Sequence, residues 1–162
     1  MNGEETMDQA SFKALCRATS IALQSQNPEA LGETNLIEVD GVRAGLFFDE
    51  DTAPDRIICY IDIGPLPPAD REEILGRLLA INLLTGTKTA GVYALDLQTD
   101  NVIFTQHFLY PDLMTGEELA GILEAYSVHA ANLKQSLLDP NNHQPLPDML
   151  ARSFSAGLQT LV

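Results

Sequence analysis

RIICYIDIGPLPPADREEILGRLLAINLLTG, residues 56–86, holds a strand, a break and a helix in one run. Residues 56–63 are rich in β-branched side chains and nearly continuous in apolar character, the pattern of a central strand covered on both sides. GPLPP stops that strand. Asp70 suits a helix N-cap, Glu73 is placed to complete a capping box, Glu72 is favourable in the first turn, and Gly86 closes the helix. After Arg77 the run carries no charge until Lys88. Ile74, Leu75, Leu78, Leu79, Ile81, Leu83 and Leu84 cover more than the single apolar face a surface helix needs. The second face is either sandwiched between the sheet and another helix of the same chain or covered by a twofold partner. Periodicity leaves both readings open.

Upstream, Phe12, Leu15, Cys16, Thr19 and Leu23 fall at helical spacing, and the pattern dies at Gln26-Asn27-Pro28. NLIEVDGVRAGLFFDE follows, two strand-like runs flanking Asp40-Gly41, a dipeptide that enters positive φ cheaply in a tight hairpin turn. Downstream, Val92 to Leu97 and Val102 to Tyr110 predict a second hairpin, with Val102, Phe104 and Phe108 on one face. Thr115-Gly116-Glu117-Glu118 is a capping box. It opens a helix whose Leu119, Ile122, Leu123, Tyr126, Ala130, Leu133 and Leu137 form one stripe.

The predicted order is helix, three strands, helix, two strands, helix. Grouped strands with short connections point to an α+β domain with a twisted antiparallel sheet. The expected organisation is a flexible stretch at 1–8, one domain at 9–138, and a Pro-rich linker with a short C-terminal helical extension at 139–162. In that extension Leu150, Phe154, Leu158 and Leu161 keep helical spacing, interrupted at Gly157.

With 162 residues, 45% of them hydrophobic, the chain can build a core, but 6% aromatics and no Trp leave few platforms for base stacking. The 23 acidic and 9 basic residues give a net charge of −14, which repels phosphate backbones and anionic membranes. Neither nucleic acid nor membrane is an expected partner. Cys16 and Cys59 form no CxxC and have no His at metal spacing, so both read as buried free thiols in a reducing compartment. No basic n-region with an apolar run opens the sequence, and no stretch approaches the roughly 18 apolar residues of a membrane span. A soluble, cytoplasmic protein is expected.

Catalytic apparatus is hard to find. GxSxG, HExxH and GxxxxGK[ST] are all missing, and His107, His129 and His143 lack ligand-spaced partners, so no catalytic residue, metal or cofactor is assigned. Asp49, Glu50, Asp51 and Asp55 match no calcium-loop template and read as a solvated charge run. A Cys16–His107 pair has no local signature. What remains is a surplus of apolar surface, with a small enzyme built on the acidic loop or His107 as the weakest rival.

Four stretches resemble the Tir chaperone (CesT) family, the class I chaperones of type III secretion. They are Gly64-Pro65-Leu66-Pro67, Leu78-Leu79-Ala80-Ile81-Asn82, Ala94-Leu95-Asp96, and Leu113-Met114-Thr115-Gly116-Glu117-Glu118-Leu119. Each is mostly aliphatic; their order and spacing, with the Ile37–Gly41 hairpin, extend the likeness over residues 11–137. The resemblance implies a non-enzymatic homodimer associated with virulence. Without ATP, it would hold the N-terminal region of a secreted effector as an extended segment, with the secretion apparatus a candidate further contact. It places Leu75, Leu78, Leu79, Asn82 and Leu83 at the dimer contact, with Asn82 a polar group able to set register. Candidates for effector binding are Phe12, Leu36, Phe47, Phe48, Ile103 and Phe108. The alternative is an interaction module of the same fold outside secretion, a regulator or immunity-type binder.

Overall fold

The computed structural model describes residues 7–85 and 91–139. Helix α1 (Gln9–Ala22) is capped by Asp8, whose carboxylate accepts the Ser11 N–H at 2.7 Å. The Glu50 carboxylate accepts the Gln9 N–H at 3.1 Å, so the loop after the second strand also serves this helix start. Met7 is buried and Asp8 is this cap, so the first residues of the expected flexible stretch that are described take part in the fold. A short helix, α2 (Ala30–Thr34), follows, ending at Asn35 in the left-handed region with φ 60°. Sequence periodicity does not reveal it, because a five-residue turn with one buried side chain, Leu31, carries too little pattern.

Strands β1 (Leu36–Val39) and β2 (Val42–Phe48) form the expected hairpin. Its turn residues Asp40 and Gly41 have φ of 50° and 78°, which Gly takes freely and Asp more readily than most residues. Then come β3 (Arg56–Pro65), α3 (Arg71–Thr85), β4 (Gly91–Asp96), β5 (Asn101–Leu109) and α4 (Gly116–Leu133). The Thr115 capping box is formed in full: its hydroxyl accepts the Glu118 N–H, and the Glu118 carboxylate accepts the Thr115 N–H. One π-helical turn, Lys134–Leu138, extends α4 and buries Leu137 and Leu138.

The five strands form one antiparallel sheet in the order β1-β2-β3-β5-β4. The α+β architecture is therefore as the sequence predicts, with β3 at its centre. Helix α4 crosses β1, β2 and β3 on one face and α1 packs against α4. Between these helices and the sheet lie Phe12, Leu15, Cys16, Leu46, Ile57, Cys59, Ile61, Val102, Phe104, Phe108, Leu119 and Leu123, all buried. Gly116 permits the close approach of α1 and α4: a Cβ there would lie 2.5 Å from the Ala18 Cβ.

The expectation that β3 is covered on both faces is not met among the described residues. Ile57, Cys59 and Ile61 point to the helices, whereas Ile58 and Asp62 are half-buried and Tyr60 is 39% exposed on the other face. The described helices cover one side, so the apolar character of the second side needs another explanation. Gly86 and the segment 140–162, for which the sequence predicts a helix stop and an extension, lie outside the described residues.

Candidate functional site: an uncovered sheet face and an outward helix face

The register of the strands assembles the uncovered face. Leu36 lies opposite Gly45, Gly45 opposite Tyr60, and Tyr60 opposite Thr105; in neighbouring rows Phe47 pairs with Ile58, and Asp62 with Ile103 and then Ala94. Side chains directly opposite one another in a ladder share a face. Leu36, Phe47, Tyr60 and Ile103 therefore converge around a groove of about 630 Å³, with Arg43, Asp62 and Asp96 among its lining residues. The Phe47 and Tyr60 rings meet edge-on, centroids 5.3 Å apart. Gly45 shapes the floor: a Cβ there would come within 2.8 Å of the Phe47 ring. Asp62 accepts both contacts of the Asn101 amide at 2.9 and 3.0 Å, which holds its carboxylate towards β5.

The six residues proposed from sequence for effector binding thus divide by face. Leu36, Phe47 and Ile103 line the groove. Phe12, Phe48 and Phe108 lie on the helix side: Phe12 and Phe108 are buried, and the Phe48 ring stacks on Phe12 at 5.3 Å. Tyr60, absent from the sequence-based set, belongs to the groove. Its place on the face opposite Cys59 follows from strand alternation, but alternation does not reveal which face the helices take.

Helix α3 runs along the β4 edge. Near its start the Arg71 guanidinium reaches the Asp100 carboxylate at 2.6 Å, and near its end Asn82 bonds the backbone of Tyr93. The ion pair holds Asp100 below the usual carboxylate range, chiefly through the Arg71 hydrogen bond. Ile74, Leu78 and Ile81 point inward and are buried. Leu79 and Leu83 point outward, 69% and 76% exposed, with Leu75 partly buried beside them. Among the described residues, none covers the second apolar face at Leu79 and Leu83. Of the five residues expected at a dimer contact, Leu75, Leu79 and Leu83 have side chains on or beside the outward face, while Leu78 and Asn82 serve the chain's own packing.

Asn82 donates from Nδ2 to the Tyr93 carbonyl at 2.8 Å and accepts the Tyr93 N–H at Oδ1 at 2.7 Å. Tyr93 is a residue of the edge strand whose backbone groups point away from β5, so this amide occupies the free edge of β4 mid-strand.

The residues considered for chemistry are dispersed. Cys16 and Cys59 are free and buried among the helix-side residues, and burial pushes both thiols up to about 12, leaving them protonated and unreactive. His107 is exposed on the opposite face of the sheet, so Cys16 and His107 do not meet. In the acidic loop Asp49 accepts the N–H groups of Asp51 and Thr52 and the Thr52 hydroxyl, and Asp55 pairs with Arg56 at 2.9 Å. These bonds hold Asp49 and Asp55 below their ordinary carboxylate range. Among the described residues no group of three His, Cys, Asp or Glu side chains comes together as a metal site, and no helix is long and apolar enough to cross a membrane.

The fold recurs in a solved structure of low sequence identity. A chain of the ExsC–ExsE complex superposes with a TM-score of 0.66 at 17% identity, over 83% of this chain and 100% of the other. A chain of the HopA1–SchA chaperone–effector complex aligns with a TM-score of 0.42 at 19% identity, over 75% of this chain and 96% of the other. No protein-family model and no curated protein sequence matches. What the ExsC–ExsE likeness establishes is a shared α+β fold over nearly the whole described chain.

Proposed function

We propose that this chain is a type III secretion chaperone, acting in the cytoplasm as a homodimer. It binds the N-terminal region of a cognate effector as an extended segment and keeps it soluble and export-competent without ATP. The observation that carries this reading is the uncovered sheet face. Four apolar side chains from four different strands, Leu36, Phe47, Tyr60 and Ile103, form a groove that no helix among the described residues covers. Alternate side chains of an extended segment would seat in such a groove, and its backbone could pair along a free strand edge. Asn82 blocks part of the β4 edge, so β1 is the edge better suited to pairing. The family resemblance and the fold shared with a chain of the ExsC–ExsE complex support the same reading.

In this proposal the outward stripe of α3, with Leu75, Leu79 and Leu83, forms the twofold contact. Burying two exposed leucines per subunit removes apolar area that water otherwise wets, a gain of roughly 1.5–3 kcal/mol for each side chain fully covered.

The test is retention of an effector's N-terminal region, roughly 50–100 residues, by the tagged full chain. Wild type should retain it, and Phe47→Ser with Ile103→Ser should lose it while keeping its circular dichroism spectrum. Equal retention by the folded variant, or retention only of an effector's folded domain, would overturn the proposal.

A further inference from the structure

We infer that the effector segment seated in the sheet-face groove carries a basic side chain, Lys or Arg, placed on Asp62 and two positions from an apolar residue placed against Tyr60. Resting on the proposed use of this groove for an extended segment, this names the chemistry that tells one effector from another.

Strand β3 puts Tyr60 and Asp62 on the same face, two residues and about 7 Å apart, and both line the groove. An extended segment lying along the strands repeats at the same interval. One of its side chains over Tyr60 therefore brings the next on that side over Asp62. The Asn101 amide donates to both Asp62 oxygens, at 2.9 and 3.0 Å, which fixes the carboxylate without neutralising it. A carboxylate offers about four acceptor sites, so these two contacts leave room for a further donor.

The neighbouring charges do not balance. Glu38 lies opposite Arg43, and Ala44 opposite Ile61, which sets Arg43 beside Asp62 in the next row of the ladder. Beyond Asp62 the row continues through Ile103 to Ala94, both uncharged. One base thus stands between two acids. The ion pairs formed among the described residues include neither Arg43 nor Asp62. Asp96, the remaining charged side chain of the groove lining, is engaged in its own turn, where it accepts the Gln98 N–H at 2.9 Å and the Thr99 hydroxyl at 2.7 Å. Among the described residues, Asp62 is the carboxylate that faces the groove with a neutral amide as its partner and no cation.

A segment lying over Asp62 strips water from a half-buried carboxylate. An apolar side chain there returns nothing for the lost hydration, and an acidic one adds repulsion. Lys or Arg replaces the water with a charge-assisted hydrogen bond. The apolar walls then supply affinity for many segments, and Asp62 supplies discrimination among them. The field of the whole molecule has the same sign: a net charge of −14 draws basic segments towards the groove.

The test measures, by fluorescence anisotropy, the binding of three labelled synthetic peptides to the full chain. Each alternates Leu with Thr and carries Lys, Gln or Glu in place of one central Leu. The Lys peptide should bind about five-fold or more tightly than the Gln peptide, with the Glu peptide weakest. Added salt should weaken the Lys peptide more than the Gln peptide. Asp62→Asn keeps the side-chain shape and an oxygen for Asn101. It should erase the Lys preference and leave the Gln peptide within about two-fold of its wild-type affinity. A Lys preference that survives Asp62→Asn would overturn the inference. Equal binding of all three peptides, lost in Phe47→Ser with Ile103→Ser, would also overturn it and leave the groove reading standing. Binding of no peptide, or binding that Phe47→Ser with Ile103→Ser leaves unchanged, would overturn the groove reading and this inference with it.

Discussion

Asn82 and Tyr93 are joined by two hydrogen bonds, 2.8 and 2.7 Å, through which one side-chain amide satisfies both outward backbone groups of an edge-strand residue. This clip fastens the end of α3 to β4, as Arg71 and Asp100 fasten its start. Asn82→Ala should lower unfolding free energy by about 1–3 kcal/mol, because two partly buried backbone groups lose their partner. Asn82→Asp should also destabilise, since a carboxylate cannot donate to the Tyr93 carbonyl. Urea denaturation measures both, and a loss within about 0.3 kcal/mol would show that the clip is idle.

Leu78 and Leu79 are neighbours in sequence with opposite fates, 5% and 69% exposed. Leu79→Asp should leave the helix and sheet signals intact and halve the mass seen by sedimentation. Leu78→Asp should unfold the chain, because it puts an unpaired carboxylate among buried apolar groups. If Leu79→Asp stayed folded at unchanged mass, α3 would not be the twofold contact.

Glycines on α4 should respond in opposite senses to Ala. At Gly116 the new Cβ would lie 2.6 Å from the Ala18 carbonyl carbon and 2.7 Å from the Thr19 nitrogen, backbone atoms that cannot swing aside. A loss of about 1–3 kcal/mol is expected despite the better helix former. Gly121 has open space around its Cβ position, so Gly121→Ala should gain about 0.5–1 kcal/mol. Thermal melts of the two variants should shift in opposite directions.

The His129 ring contacts the Tyr93 hydroxyl and the Phe104 ring, and partial burial lowers its pKa from 6.5. The folded chain then binds its proton less readily than the unfolded chain. Stability should be fully present above pH 6.5 and decline as pH falls from there through the lowered folded value. His129→Gln should flatten that decline, as followed by urea midpoints at successive pH values. A separate loss should begin as pH falls below about 4, where Asp49, Asp55, Asp96 and Asp100, all with lowered values, lose their hydrogen-bonded charge.

The element order was legible because each major element carries its own local signal. Asp40-Gly41 marks a tight hairpin, Thr115 with Glu118 marks a helix start, and residues 119–137 keep one apolar stripe. The missed helix, α2, is too short to show a period. Cys16 and His107 lie on opposite faces of the sheet, which a sequence pattern does not reveal, and Asp49 of the acidic loop is engaged in local bonds.

The sequence by itself determined which residues alternate in each strand and which side chains of the central helix are apolar. Tertiary structure alone decided what those faces meet. Strand β5 inserts between β3 and β4, making β4 an edge that Asn82 can clip. The same packing turns Phe12, Phe48 and Phe108 towards the helices and leaves Leu36, Phe47 and Ile103 in the open. The physical reason is that a period of two specifies two faces without labelling them. When both are apolar, only the long-range docking of α1 and α4 chooses which one is buried.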